Sequence, residues 1–258
     1  MLTFEQLQGY YQKNTNASPK SMLVEYVQYE LLDSLFKKKQ SRHLSFIGGT
    51  ALRIVYNGSR FSEDLDFDNF GLSFGEFQEL SDAIVEDMRL KGFSIEFRTI
   101  EKSAYHCYVK FPHILQSAKL ESAPEEKILV RIDAMEKKKN FAPVVHTLNK
   151  FDIYRNILVN PVDILLSQKL ITILGRKREK GRDFFDVSYL YGMTQPNFKY
   201  IEEIMGMSRN EFVQKLLDRC AQLDFIALAL DVEPFLMHPE QSVRVMDFKN
   251  FIEKQLSA

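Results

Sequence analysis

Apolar residues recur at helical spacing over residues 20–38, KSMLVEYVQYELLDSLFKK. Ser18 and Pro19 come just before this segment and are typical of an N-cap and a first helical position. A second helical period covers residues 76–91 and ends at Gly92. The hydrophobic pattern therefore predicts two amphipathic helices in the first part of the chain.

Shorter apolar or alternating runs around these helices predict β-strands. The run LSFI ends at Gly48 and Gly49, and a short amphipathic helix, TALRIVYN, is expected directly after the glycines. The segment RFSEDLDFDNFG is expected to form a second strand. Four further strand-like runs follow the second helix: FSIEFRTI, YHCYVKF, KILVRIDAM and YRNILVN.

The strand-like runs stop near Asn160, and the rest of the chain is helical in period. We therefore expect an α+β protein: an N-terminal α/β domain with a mixed sheet, residues 1–160, followed by a helical C-terminal domain, residues 161–258. A cleft between two such domains is a common place for a ligand, and we expect the helical domain to close it.

The composition is that of an ordinary globular protein, with 45% apolar residues and a formal net charge of -1. A nucleic-acid partner would have to be held by a local basic patch. The sequence has no signal-peptide pattern and no apolar run that could span a bilayer, so we expect a cytoplasmic protein without a membrane partner. No convincing helix-turn-helix pattern occurs, so we expect no sequence-specific DNA binding.

Three aspartates alternate along the second predicted strand. Because side chains alternate in a strand, Asp64, Asp66 and Asp68 are expected on one face, with Leu65 and Phe67 packed on the other. Carboxylates that converge in this way suit hard divalent cations. The alternative is an exposed edge strand, where charges prevent aggregation. A calcium-binding EF-hand loop is excluded because its sixth and twelfth positions are Asn69 and Gly75.

The glycine pair lies within about 15 residues of these aspartates. A turn at Gly48 and Gly49 followed by a helix that begins at Thr50 lets backbone N–H groups and the helix dipole face an anion. On its own, such a pair is more often only a turn. Together with a carboxylate face, it indicates a triphosphate held between backbone amides and metal ions.

Residues 48–50, Gly-Gly-Thr, are followed after thirteen residues by Asp-Leu-Asp-Phe at 64–67. This order resembles the signature of the DNA polymerase β-like nucleotidyltransferase superfamily. The longer stretch GGTALRIVYNGSRFSEDLDF is similar to the AbiEii/AbiGii family of nucleotidyltransferase toxins, in which an Arg-x-Ser-x-Asp stretch leads into the carboxylate pair. Here that stretch is Arg60, Ser62 and Asp64.

The resemblance implies a third carboxylate on a neighbouring strand, and KILVRIDAM supplies one. In this segment Val130 and Ile132 point one way, while Arg131 and Asp133 point the other. Asp133 would complete a metal site and help to activate an acceptor hydroxyl. The alternative is a strand-end aspartate bound by a turn amide.

A helix opened by Asn160 as N-cap, Pro161 and Asp163 is predicted next. Lys169 falls within its apolar stripe, so its ammonium group must either snorkel to solvent or bind an anion. The resemblance implies that Lys169 lies near the nucleotide phosphates, and we expect Lys169→Ala to fold normally and lose activity. The stripe contains Val162, Leu165, Leu166, Leu170 and Ile173.

Gly175 is expected to end that helix, and the charged run RKREKGR, residues 176–182, follows it. The run could bind a triphosphate or an RNA backbone, or could be an ordinary solvated loop. Arg182, Asp183 and Asp186 match the Arg-Asp-x-x-Asp helix start of the family. Asp183 could also serve only as an N-cap, with Asp186 as its partner.

The resemblance implies a metal-dependent nucleotidyltransferase that moves a nucleoside monophosphate from an NTP substrate to a hydroxyl acceptor, such as tRNA. It further implies a toxin of a toxin–antitoxin or phage-defence system, silenced by a separately encoded antitoxin. Catalytic roles are implied for Asp64, Asp66, Asp133, Lys169 and Asp186. Nucleotide contacts are implied for Gly48, Gly49, Thr50, Arg60, Ser62, Lys169, Arg182 and Asp183. The expected ligands of two Mg²⁺ ions, or of Mn²⁺, are Asp64, Asp66 and Asp133.

Three alternative functions remain open from the sequence. The same carboxylates would serve a nucleotidyltransferase that modifies small molecules such as antibiotics, or a kinase-like enzyme that moves the γ-phosphate. A nucleotide-binding module without chemistry is the third. P-loop, dinucleotide-binding and His-Glu-x-x-His patterns are absent, and the five histidines are scattered, so none is assigned a site.

Overall fold

The computed structural model describes residues 1–12, 15–120, 126–138 and 140–257. They form two compact units, Met1–Asn160 and Pro161–Ala258, which we call the first and second unit. The first unit combines helices with a β-sheet, while the second consists of helices and turns in its described part. The predicted α+β class is therefore confirmed.

The helices of the first unit are α1 (Phe4–Gln8), α2 (Pro19–Phe36), α3 (Gly48–Val55), α4 (Phe74–Leu90) and α5 (Ile114–Ser117), and a 3₁₀ helix covers Lys39–His43. The strands are β1 (Leu44–Ile47), β2 (Leu65–Asn69), β3 (Glu96–Glu101), β4 (Tyr105–Phe111), β5 (Ile128–Glu136), β6 (Val144–Lys150) and β7 (Ile153–Val159).

The seven strands form one mixed sheet in the order β3-β4-β5-β2-β1-β7-β6. Strand β2 pairs in parallel with β5, and β1 pairs in parallel with β7, while the other neighbours are antiparallel. Because β2 lies between β5 and β1, the aspartates are not on an edge strand. The edge-strand alternative is therefore wrong.

One face of the sheet is covered by α2 and α4. The apolar residues of β2 point to this face: Leu65 and Phe67 are buried, and the Phe67 ring lies 6.2 Å from Phe36 of α2 and 5.3 Å from Phe46 of β1. Burial of each such side chain contributes about 1.5–3 kcal/mol. This packing fixes β2 so that Asp64 and Asp66 point to the opposite face.

Helix α2 begins where its cap predicts, whereas α4 begins at Phe74, two residues before the start expected at Glu76. The Ser18 side chain accepts a hydrogen bond from the Ser21 N–H, and Pro19 is the first residue of α2. Helix α4 begins after Ser73, which forms a reciprocal capping box with Glu76. One expected strand of this unit has different bounds, however, and one observed strand was not expected.

The strand expected over RFSEDLDFDNFG starts only at Leu65 and ends at Asn69. The preceding segment is held by side chains of α2 and α3 instead of by a neighbouring strand, as described below. Strand β6 was not predicted from the sequence. It is an edge strand whose Val144 and Val145 are both exposed, so it lacks a clear alternation of apolar and polar positions.

The helices of the second unit are α6 (Val162–Gly175), α7 (Gly181–Leu190), α8 (Phe198–Met205), α9 (Arg209–Cys220), α10 (Phe225–Val232), α11 (Val243–Met246) and α12 (Phe248–Ser257), with 3₁₀ helices over Glu233–Phe235 and Pro239–Ser242. Its core includes the rings of Phe184, Phe225 and Phe248, whose centroids lie 5.0–5.8 Å apart. None of the described helices has both the length and the apolar character of a membrane span.

The start of α7 requires glycine. A Cβ atom on Gly181 would overlap the backbone carbonyl of Leu228 in α10. The Gly181 N–H also donates to Asp231 at 2.9 Å. The turn after the charged run is therefore fixed against α10 within the second unit.

Candidate active site

Two of the predicted site residues occupy paired positions in the sheet. Asp66 of β2 lies opposite Asp133 of the parallel strand β5, and His106 of the antiparallel strand β4 lies opposite Asp133 on its other side. Paired residues on neighbouring strands have Cβ atoms about 5 Å apart. We call these three residues the carboxylate row.

Arg131 joins Asp64 to this row. Its Nη2 donates to Asp64 Oδ2 at 2.9 Å, its backbone N–H donates to Asp64 Oδ1 at 3.3 Å, and its Nε lies 2.8 Å from Asp133 Oδ2. Arg131 and Asp133 are two residues apart on β5 and therefore share a face. One guanidinium group thus bridges two of the predicted metal ligands.

The charges of Asp64, Asp133 and Arg131 influence one another. Burial raises the pKa of Asp64, and the Asp133 charge raises it further, while Arg131 acts in the opposite direction. Burial lowers the pKa of Arg131, but the negative charges of Asp64, Asp133 and Asp66 outweigh that effect and raise it. The site is therefore one in which the carboxylates favour a nearby cation.

His106 was not assigned a role from the sequence. Its Nδ1 lies 2.7 Å from Asp133 Oδ1, so Asp133 is held between His106 and Arg131. The alternation of YHCYVKF does predict that His106 lies on the other face of the strand from the buried Cys107. The pairing of β4 with β5 is what brings it to Asp133, and that register is not written in either segment alone.

The glycine pair brings the backbone against the same site. Gly48 has a φ of +78°, and a Cβ atom there would overlap the Asp66 carboxylate. A Cβ atom on Gly49 would overlap the Arg60 guanidinium and would lie 2.8 Å from Ser62 Oγ. The absence of side chains at both positions therefore lets Asp66, Arg60 and Ser62 approach the first turn of α3.

The segment before β2 is anchored by hydrogen bonds from helices. The buried Thr50 hydroxyl donates to the Asp64 carbonyl, and Gln28 Nε2 of α2 donates to the Ser62 carbonyl at 2.9 Å. Arg60 is buried as well, and its Nη1 donates to the Phe61 carbonyl at 3.1 Å. In this structure the Thr50 hydroxyl therefore positions the backbone of Asp64.

Asp68 does not converge with the other two aspartates. It is 0% exposed, and its Oδ2 accepts a hydrogen bond from Asn160 Nδ2 at 2.7 Å. The expectation that three aspartates converge on one spot is therefore wrong for Asp68. The same contact explains why Asn160 does not cap α6: its side chain is turned toward Asp68, and the residue before α6 is Pro161, without a side-chain cap.

The second unit contains a separate ionic cluster, which we call the lysine cluster: Lys169, Arg176, Asp183 and Asp186. Lys169 Nζ lies 2.8 Å from Asp186 and 3.3 Å from Asp183, and Arg176 Nε lies 2.9 Å from Asp183. The side chains of Asp183 and Asp186 are only 2% and 3% exposed, and that of Lys169 is 15% exposed. Lys169 therefore binds carboxylates of α7 and does not snorkel to solvent.

The N-cap alternative for Asp183 is wrong. The residue that precedes α7 is Lys180, and Asp183 lies within the first turn of the helix. There its carboxylate contacts Arg176 as well as Lys169. Asp183 and Asp186 are thus buried counter-ions of two cations.

Some side chains of the charged run 176–182 form ion pairs, and others do not. Arg176 contacts Asp183, Lys180 lies 3.6 Å from Asp231, and Glu179 pairs with Arg219 at 2.9 Å. Lys177 and Arg178 are exposed. The side chains of these two residues and of Arg182 make no hydrogen bond or ion pair within the described ranges. The run therefore presents positive charge that the second unit itself does not neutralise.

The donor set of the first unit fits a divalent metal by its chemistry. Asp64, Asp66 and Asp133 offer hard carboxylate oxygens, which Mg²⁺ and Mn²⁺ prefer. Among the residues that the structure describes, no three His, Cys, Asp or Glu side chains converge in a ligating arrangement. Arg131 takes the place of a cation between Asp64 and Asp133.

Two solved structures show the same fold. The nucleotidyltransferase toxin MenT4 from Mycobacterium tuberculosis superposes with a TM-score of 0.61 at 16% identity, over 98% of this chain and 90% of that chain. JHP933 from Helicobacter pylori gives a TM-score of 0.54 at 18% identity, over 94% and 95% of the two chains. No curated protein matches this sequence significantly.

A family model matches most of the chain and identifies its family. The model of the nucleotidyl transferase AbiEii toxin family, described as a type IV toxin–antitoxin system, matches residues 30–254. This range includes the glycine pair, the carboxylate row and the lysine cluster. The chain therefore belongs to the AbiEii family of nucleotidyltransferase toxins.

Proposed function

We propose that this nucleotidyltransferase moves a nucleoside monophosphate from an NTP to a hydroxyl group of an RNA acceptor such as tRNA, in the presence of a divalent metal. The observation that carries the proposal is the pairing of Asp66 with Asp133 beside the glycine turn. That arrangement provides carboxylates for a metal and backbone amides for phosphates on either side of Asp66.

Asp64, Asp66 and Asp133 would hold the metal, with Mg²⁺ as the expected ion and Mn²⁺ as a substitute. When bound, the metal would supply Lewis-acid stabilisation of charge on the reacting phosphate. The side chains that position these ligands belong to the chain itself: Arg131 and His106 hold Asp133, and Thr50 holds the backbone of Asp64.

In the proposed reaction, the acceptor oxygen forms a bond to the α-phosphorus of the NTP. The bond from that phosphorus to the oxygen that bridges to the β-phosphorus breaks, and pyrophosphate leaves. The proton of the acceptor hydroxyl passes to Asp133, whose two oxygens are oriented by Arg131 and His106. The product is RNA with one added nucleotide.

The triphosphate is assigned to groups that favour anions. Backbone N–H groups of Gly48 and Gly49, the Arg60 guanidinium and the Ser62 hydroxyl lie at the start of α3. By the family pattern, Lys169, Arg182, Asp183 and Asp186 also belong to the nucleotide-handling machinery. Lys169 would offset the charge of the departing pyrophosphate, and its orientation is fixed by Asp183 and Asp186.

An RNA acceptor is proposed because the chain carries exposed positive charges on one loop. The whole chain has a net charge of -1, so a polyanion cannot be held by an overall positive field. Lys177 and Arg178 are exposed cations on one loop and are suited to phosphate contacts. As a toxin of this family, the protein would act in the cytoplasm, where NTPs and RNA occur, and would be silenced by a separately encoded antitoxin.

The test is to incubate the purified protein with Mg²⁺, total bacterial RNA and each α-labelled NTP in turn. The control is the double variant Asp64→Ala/Asp66→Ala. We expect label in RNA with one or two of the four nucleotides and none with the control. Label that enters RNA only from γ-labelled NTP would indicate phosphoryl transfer instead. Label that appears only on added small molecules, such as aminoglycosides, would move the acceptor from RNA to that class.

A further inference from the structure

The proposed reaction gives a role to the contact of Arg131 with Asp133 but not to its contact with Asp64. Its guanidinium contacts Asp64 and Asp133 at 2.9 and 2.8 Å, and both are predicted metal ligands. Asp64 directly precedes β2 and Asp133 lies in β5, so the guanidinium also ties the start of β2 to β5. A cation that binds these carboxylates therefore meets a resident positive charge.

We propose that Arg131 is a positioning residue that acts as an internal counter-ion and competes with the divalent metal for Asp64 and Asp133. This inference rests on the metal requirement of the proposed function. In the metal-free protein, Arg131 keeps the two carboxylates near each other despite their mutual repulsion. Metal binding then requires the guanidinium to release at least one of them.

The geometry favours competition over simple coexistence. Arg131 uses its Nη2 on one aspartate and its Nε on the other, so both contacts involve one small planar group. The backbone N–H of Arg131 also donates to Asp64, so this carboxylate contacts both the backbone and the guanidinium of the same residue. A metal that draws Asp64 toward Asp66 would have to break the contact between Asp64 and the guanidinium.

The same arginine stabilises the protein while no metal is bound. Asp64 and Asp133 are each partly buried, at 35% and 16% side-chain exposure, so their repulsion is only partly screened by water. Replacing Arg131 by a neutral residue is therefore expected to lower stability without metal and to strengthen metal binding. These opposite effects identify a counter-ion and would not follow from a purely structural role.

The sheet offers a matched control. Arg98 of β3 pairs with Tyr108 of β4, which in turn pairs with Arg131, so the two arginines lie in one row two strands apart. The Arg98 guanidinium lies 4.9 Å from the centroid of the Tyr108 ring. Arg98→Gln thus removes the same charge from the same row without touching the aspartates.

The experiment is a calorimetric titration of Mn²⁺, without nucleotide, into wild type, Arg131→Gln, Arg131→Lys, Arg98→Gln and Asp64→Ala/Asp66→Ala, with melting temperatures recorded for each. We expect Arg131→Gln to bind Mn²⁺ at least about tenfold more tightly than wild type, because an adjacent like charge shifts ionic equilibria by about one to three powers of ten. Arg131→Lys should fall between the two, and Arg98→Gln should match wild type. Metal-free Arg131→Gln should melt below wild type and should gain more from added Mn²⁺.

Two results would overturn the inference in different ways. Equal or weaker Mn²⁺ binding by Arg131→Gln, with binding lost in the double aspartate variant, would retain the metal site and reject the competition. Absence of Mn²⁺ binding in wild type and in both Arg131 variants would reject the metal site itself, and with it the metal-dependent mechanism. If Arg131→Gln does not fold, the comparison of Arg131→Lys with wild type decides between competition and its absence.

Discussion

Asp66 and Asp133 lie side by side on parallel strands that are separated by more than sixty residues of sequence. The pairing sets two carboxylates on the sheet face opposite α2 and α4. It also defines which neighbours can influence them: Arg131 and His106 on the side of β4 and β5, and Gly48 on the side of β1. The catalytic proposal depends on this relationship more than on any single residue.

The first prediction concerns Asp66. Replacement by Asn keeps the shape of the side chain but removes a negative charge that the proposed metal site needs. We expect kcat to fall by at least about a thousandfold, with little change in melting temperature, because Asp66 is not part of the hydrophobic core. Glu63→Gln, an exposed change three residues earlier, is the matched control and should keep wild-type turnover. Wild-type turnover of Asp66→Asn would remove this residue from the mechanism.

Asp68 is predicted to have the opposite profile. Asp68→Ala removes the acceptor of the buried Asn160 amide and should lower the free energy of unfolding by about 2–4 kcal/mol. Turnover per folded molecule should remain close to wild type at a temperature where the variant is folded. Chemical denaturation and single-temperature kinetics measure the two effects separately. A large loss of turnover at unchanged stability would place Asp68 with the catalytic carboxylates.

The lysine cluster changes the expectation for Lys169. The sequence alone predicts that Lys169→Ala folds normally, but the variant would leave Asp183 and Asp186 buried with less compensation. We expect a loss of about 3 kcal/mol of stability together with the loss of activity. Lys169→Arg keeps the charge and should recover most of the stability. The variant should not recover turnover, because the planar guanidinium spreads its charge and cannot replace the compact ammonium group of lysine. Full activity of Lys169→Arg would contradict a specific role for the lysine.

The fourth prediction is a pH dependence of stability in the first unit. Asp33 of α2 contacts Lys37, Lys91 and Arg155 at 2.6–3.0 Å. Burial alone would raise its pKa, but these cations lower it from 3.8 to about 2. The contribution of Asp33 is therefore complete above pH 3.8 and is lost as the pH falls toward 2.

Asp33→Asn should accordingly cost about 2 kcal/mol near neutral pH, and the difference from wild type should shrink as the pH falls from about 4 toward 2. Urea denaturation at a series of pH values measures this. Asp87→Asn is the control, since Asp87 pairs with Lys38 at a more exposed position and should cost less than about 1 kcal/mol. A difference between Asp33→Asn and wild type that grows on acidification would reverse the assigned sign.

The loop cations provide the fifth prediction. Lys177→Gln/Arg178→Gln should weaken binding of single-stranded RNA and should reduce the slope of log affinity against log salt by about 1.4, which corresponds to two lost phosphate contacts. The exposed pair Lys249→Gln/Lys254→Gln on α12 removes the same charge elsewhere in the second unit. Equal effects of the two double variants would show that only net charge matters, and would remove the loop as an RNA contact.

The sequence predicted the features whose causes are local. Strand β4 has the bounds expected from YHCYVKF, and α2 begins at Pro19 because Ser18 and Pro19 define that start by themselves. The buried stripe of α6 is also close to the prediction, although Val162 is only half-buried. Such features depend on residues within a few positions of one another.

Features that depend on distant parts of the chain could not be predicted. Alternation groups Asp68 with Asp64 and Asp66, whereas the structure pairs Asp68 with Asn160, 92 residues away. Alternation places Arg131 on the correct face but identifies no partner, because the register of β2 and β5 is not encoded in either strand alone. The contact of His106 with Asp133 is unpredictable for the same reason, because it depends on the register of β4 and β5.

The most direct test of the central claim compares the release of pyrophosphate with the gain of label in RNA, in one reaction with the preferred α-labelled NTP. The account predicts one pyrophosphate per nucleotide transferred for the wild-type protein, and loss of both signals together in Asp66→Asn and in Asp133→Asn. Release of nucleoside diphosphate in place of pyrophosphate would contradict it, as would undiminished transfer in either variant.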